Sequence, residues 1–139
     1  MQFKIVRNVA AALLLCLTLT ACGSFSGYDD NAQIVKASSW SATGEVSFNT
    51  NTHLDMRCSK CNGVKSVATV TVPDDPTFDM TVNIDSGRFK VVLVQSNSVY
   101  LVTDTSTSGP VTTNGIPAGK YSLRLVAEDA KFQITLNLG

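Results

Sequence analysis

Histidine occurs once in this chain, as His53, and tryptophan once, as Trp40. Histidine-dependent hydrolytic chemistry finds little support. There is no GxSxG elbow and no SxxK pair, and a Ser-His-Asp triad could run only through His53, where no motif supports it. Charge is sparse at 16%, and no basic run supplies the counterion-release term that binding to DNA or RNA requires. No window of a dozen residues keeps an apolar face at helical spacing, which argues against a helical domain. The residues therefore point to a protein that is not an enzyme, needs no cofactor and has no nucleic-acid partner.

What is present begins at the N-terminus. Basic Lys4 and Arg7 precede an almost wholly apolar stretch from Val9 to Leu19, and small residues then lead to Cys22. This is the plan of a secretory signal. The stretch is short of the roughly 20 residues that a permanent membrane helix needs, so a transmembrane anchor is the weaker alternative. Residues Leu19-Thr20-Ala21-Cys22-Gly23 resemble the lipobox of bacterial lipoproteins. The resemblance implies a signal peptide over 1–21, cleavage before Cys22, diacylglycerol on the Cys22 sulfur and further acylation such as palmitate. It also implies residence in the bacterial cell envelope. Gly23, where an Asp would favour inner-membrane retention, implies the outer membrane in a diderm host. Several acyl chains would anchor firmly, at about 0.8 kcal/mol per buried methylene. The other alternative is a secreted protein cut near Ala21, with Cys22 a free thiol. Loss of Lys4 and Arg7 from 11 basic residues against 11 acidic ones leaves a net charge of about −2.

Residues 22–31 are small and polar with two glycines and read as a flexible tether; 32–139 read as one all-β domain. Phe78, Met80, Val82 and Ile84 alternate with Asp79, Thr81 and Asn83, as a half-buried strand requires. Turn chemistry at Asp85-Ser86-Gly87 is followed by a second strand, with Phe89, Val91 and Leu93 on one face and Val92 and Val94 on the other, so that it is buried on both sides. A polar turn at Asn97 should close a hairpin onto Val99–Thr103. Loops follow at 104–110 and 114–119. Tyr121, Leu123 and Leu125 point inward, Glu128-Asp129-Ala130 turns the chain, and Phe132, Ile134, Leu136 and Leu138 form a last strand. Upstream, Gln33–Ser38, Ser41–Phe48 and Ser66–Val72 complete about eight strands, which favours a single antiparallel β-sandwich, jelly-roll or Ig-like, over a barrel.

The run Gly87–Val94 and the stretch Ile116-Pro117-Ala118-Gly119-Lys120-Tyr121 resemble the jelly-roll modules typified by bacterial pre-peptidase C-terminal domains. The resemblance implies a tyrosine at position 121 that packs beneath a corner and bonds backbone through its hydroxyl. It speaks to fold more than to function.

Cys58 and Cys61 are the thiols left once Cys16 is removed and Cys22 is lipidated. Three readings apply: a local disulfide in an oxidising compartment, thiol–disulfide exchange favoured by Arg57 and Lys60, and a soft metal site of His53, Met56, Cys58 and Cys61. The exchange reading lacks the strand-to-helix context of thioredoxin-type motifs, and the metal reading lacks a second Cys or His pair. Asn62 stands where covalent haem attachment needs a histidine. Asp74 and Asp75, between Pro73 and Pro76, offer oxygen ligands for calcium or a solvated turn. Trp40 and Tyr100 are candidate ligand-binding aromatics, and a core position is the alternative for Trp40.

Three functional expectations follow. The first is a lipid-anchored, non-enzymatic envelope interaction or accessory module with a protein or glycan partner. The second is a lipoprotein that binds glycan or another small ligand, which requires exposed aromatics clustered on one face. The third is a thiol-redox or metal protein, which requires solvent-accessible sulfurs beside His53.

Overall fold

The computed structural model describes residues 25–36, 39–50 and 52–138. The segments expected above to be a signal peptide and lipobox, with Cys22, lie outside them. The described chain is mostly strand. Helix α1 (Asn31–Lys36) is followed by β1 (Trp40–Thr43), β2 (Val46–Asn49), β3 (His53–Val72), β4 (Thr77–Gln95), β5 (Ser98–Thr103), β6 (Thr107–Thr112) and β7 (Gly119–Asn137). All pairings are antiparallel. The three long strands lie in the order β3-β7-β4; β1 and β2 share the outer side of β3, and β5 and β6 share that of β4.

The described strands differ from the expected eight in several places: two expected turns are bends inside strands, the segment 41–48 expected as one strand is divided between β1 and β2, and the loop expected over 104–110 carries the start of β6. At Asp85-Ser86-Gly87 the β4–β7 register shifts twice, between Ile84 and Arg88. At Glu128-Asp129-Ala130, β7 continues through Asp129 at φ 46°. In β3 the register shifts between Cys58 and Gly63. Extra residues at one level in three neighbouring strands bend all of them together, and such bulges let a strand pass from one layer of a sandwich to the other. The inward face changes parity there. Even-numbered Phe78, Met80 and Val82 give way to odd-numbered Phe89, Val91 and Leu93, and odd-numbered Leu123 and Leu125 to even-numbered Phe132, Ile134 and Leu136.

The two halves of the bent sheet close on one core, and Phe89 stacks on Phe132 in the crook with ring centroids 4.0 Å apart. Closure shows in the bond from Asn49 Nδ2 to Val67 O, 3.4 Å. Asn49 pairs with Leu54, which a straight strand would hold about 43 Å from Val67.

A second cluster covers the outer face of one half. Val64, Val92, Val94 and Val126 lie beneath Tyr28 and Ile34, so this part of β4 is buried on both sides, as its continuous apolar run implies. The cover overturns two expectations. The segment expected as a strand from Gln33 is helix α1 as far as Lys36. The segment from Phe25 to Asn31, expected within a flexible tether, is packed onto the sheet. Six helical residues are too few to be stable alone. Here Asp30 caps the start, its Oδ1 accepting from Ala32 N at 3.0 Å. Ile34 is fully buried, and Arg124 Nη1 donates to the Ile34 carbonyl at 2.7 Å and also to that of Val35. Burying Ile34 stabilises by about 1.5–3 kcal/mol, and Arg124 satisfies carbonyls that a helix end leaves free.

Candidate functional site

The bend gathers a set of polar contacts around Asn62. Cys58 and Cys61 flank the extra residues of β3 with their sulfurs at bonding distance, 1.91 Å, and the two residues are 3% and 0% exposed. The disulfide fixes the bulge, and burial keeps its sulfurs from the solvent that exchange chemistry requires. Asn62, buried beside it, accepts from Phe25 N at 3.0 Å and Asp129 N at 2.8 Å through Oδ1, and donates from Nδ2 to Asp129 Oδ1 at 3.1 Å. One side chain thus joins the N-terminal segment to the bulges of β3 and β7.

Next to this bend the Tyr28 ring lies under two cations, with Arg88 3.9 Å and Lys90 4.3 Å from its centroid. Arg88 also pairs with Asp29 at 2.7 Å and Glu128 at 3.4 Å. Burial pushes the Tyr28 phenol up to about 12, against the opposing pull of Arg88. Burial likewise lowers the Lys90 ammonium.

The four residues considered for metal are not brought together. His53 starts β3, five positions before Cys58, and its Nδ1 lies 2.9 Å from Asn137 Oδ1. Asn137 Nδ2 donates to Asp79 Oδ2 at 3.0 Å, which turns Oδ1 toward His53 and makes Nδ1 the protonated nitrogen. The three residues form a polar row across β3, β7 and β4. Met56 is buried in the core, and the cysteines bond each other. The calcium candidates bind backbone instead. Asp74 Oδ1 accepts from Ala118 N at 2.7 Å and Asp75 Oδ1 from Ile116 N at 2.9 Å, tying the β3–β4 loop to the loop before β7.

No protein-family model matches the chain, and no curated protein is significantly similar to it.

Trp40 and Tyr100 stand on opposite margins of the sheet, in β1 and β5. Trp40 is half-buried, donates from Nε1 to Glu45 Oε1 at 2.9 Å and lies beneath Lys65. Tyr100 meets Tyr121 edge-to-face with centroids 5.7 Å apart. Tyr121 is buried, and its hydroxyl donates to Pro117 O at 2.6 Å, the kind of backbone bond implied for this residue above. Both candidate aromatics pack against the main core, from opposite margins of the sheet.

Strand β2 carries the surface feature that the sequence reading missed. Val46 and Phe48 are 66% and 65% exposed, and both point outward with Arg57 and Asp55. Alternation with Ser47 and Asn49 was legible, but its direction was not, because a short strand with one polar face fits either register.

Proposed function

We propose that the chain is a bacterial envelope lipoprotein, anchored through Cys22, whose β-sandwich is a non-enzymatic interaction module for another envelope protein. Strand β2 carries the interaction reading. Among the described residues it hydrogen-bonds within the sheet to β3 alone; it has no charged residue or proline to blunt that edge, and it presents Val46 and Phe48 to solvent. Such an edge suits addition of a strand from a partner, with main-chain bonds giving affinity and the two apolar side chains giving selectivity. The Cys58–Cys61 bond supports the address, because disulfides persist outside the reducing cytoplasm.

A photo-crosslinking amino acid placed at position 48 in cells tests this, with the same probe at position 101 as control. Leu101 is also exposed, at 51%, but lies in β5 on the opposite margin. The expected result is one reproducible envelope-protein adduct from position 48 that position 101 does not give. Adducts equal at both positions, or none from position 48, would contradict the reading.

A further inference from the structure

The N-terminal segment is docked along its whole described length. Phe25 N is bonded to Asn62, Tyr28 is 7% exposed beneath Arg88 and Lys90, and α1 is held by Ile34 and Arg124. This leaves very little chain between the anchor and the folded domain. Phe25 is three residues after Cys22, and three residues span at most about 10 Å however they are arranged. The headgroup layer on each side of a bilayer is itself about 5–8 Å thick.

From these lengths we infer that the sheet bend rests on the lipid headgroups and that the domain stands on the membrane in a fixed orientation. The inference relies on the lipid attachment at Cys22 proposed above. With acyl chains in the hydrocarbon and Cys22 at the headgroups, Phe25 and Asn62 stay within about 10 Å of the surface. The bend is polar and carries both signs of charge, with exposed Lys60, Lys131 and Arg88 beside Asp29 and Asp129. That mixture suits the phosphates and amines of a phospholipid surface. The far end of the sandwich, where a cleft of about 470 Å³ opens between Val72 and Asp79, stands about 30 Å away along β3. It faces away from the bilayer.

Trp40 is the reporter, because it is the only tryptophan and pairs with Gly63, next to Asn62. The full mature lipoprotein is reconstituted in phosphatidylcholine vesicles containing lipids with a nitroxide on the headgroup, and flotation confirms that it is anchored. The expected result is loss of Trp40 emission relative to vesicles without nitroxide. Insertion of twenty Gly/Ser residues between Ser24 and Phe25 should restore emission, since such a linker has an r.m.s. length of about 25 Å. Protein that floats with unquenched Trp40, or quenching that survives the insertion, would overturn the orientation alone. Protein that does not float would overturn the lipoprotein reading and the orientation with it.

Discussion

Asn62 and Asp129 hold each other across the bend of the sheet: Asp129 N donates to Asn62 Oδ1 at 2.8 Å, and Asn62 Nδ2 donates to Asp129 Oδ1 at 3.1 Å. The pair couples two bulges, and through Phe25 N it couples them to the N-terminal segment. Asn62→Ala leaves two backbone N–H groups without this acceptor and should destabilise the domain by about 2–3 kcal/mol. Asn83→Ala, on the exposed outer face of β4, should stay within about 0.5 kcal/mol. Urea unfolding of both variants checks this, and equal midpoints would contradict the role assigned to Asn62.

Gly87 faces the same bend from β4. Its φ is +72°, and a Cβ there would lie 2.1 Å from the Asp129 carbonyl oxygen. Gly87→Ala therefore combines a left-handed backbone with a clash against main chain, and should cost about 2–4 kcal/mol. Gly115→Ala is the comparison. Its φ is +82° but nothing lies within 4 Å of its Cβ, so the conformational penalty acts alone, at about 1 kcal/mol. Thermal melts that rank the two in reverse would show that the bend does not require the close approach.

Much of this fold was legible before the structure. Strict alternation at Phe78–Val82, Phe89–Leu93, Tyr121–Leu125 and Phe132–Leu136 gave the inward faces correctly, because burying one side of a sheet imposes period two. Misread were the breaks between those runs. A parity change beside Gly87 or Asp129 fits a turn that ends a strand as well as a bulge that bends one, and only pairing with β7 distinguishes them. The segment before β1 was misread for another reason. Six helical residues show no periodicity, and burial of Tyr28 depends on Arg88 and Lys90, about 60 residues away. At the candidate site the Cys58–Cys61 pair was legible from its spacing and proposed compartment, whereas Asn62 and Phe48 carried no local signal.

In the core, Leu123 is fully buried and Leu123→Ala should cost about 2–5 kcal/mol. Ile84 was expected to be equally buried, but it sits half-buried at the start of the bend, so Ile84→Ala should cost less, about 1–2 kcal/mol. Thr81→Ala on the exposed face should have little effect. Denaturant midpoints in the order Thr81→Ala, Ile84→Ala, Leu123→Ala, highest first, are the expected result.

The buried disulfide closes a very short loop and restricts the unfolded chain little. Replacing both Cys58 and Cys61 with Ala should lower stability by no more than about 2 kcal/mol and leave the domain folded. Alkylation of unfolded but unreduced protein, followed by mass spectrometry, should label neither Cys58 nor Cys61. Two labelled thiols in protein taken from the envelope would contradict the bond.

Tyr28 gives the N-terminal segment a pH dependence. Its phenol titrates at about 12 when buried, against 10.0 for the free group. The neutral form is the one favoured in the fold, so the contribution of Tyr28 to docking is complete below pH 10 and is lost as pH rises toward 12. Limited proteolysis between Tyr28 and Lys36 should accelerate across that window. Tyr28→Phe, which removes the titration, should flatten the dependence; an unchanged profile would show that Tyr28 is not its source.

The lipid attachment proposed at Cys22 is tested most directly by the intact mass of protein extracted from membranes. The expected result is a chain that starts at Cys22 and carries diacylglycerol on its sulfur, with Cys22→Ser giving an uncleaved or soluble precursor without lipid. A mature chain starting after Ala21 with an unmodified cysteine would contradict it.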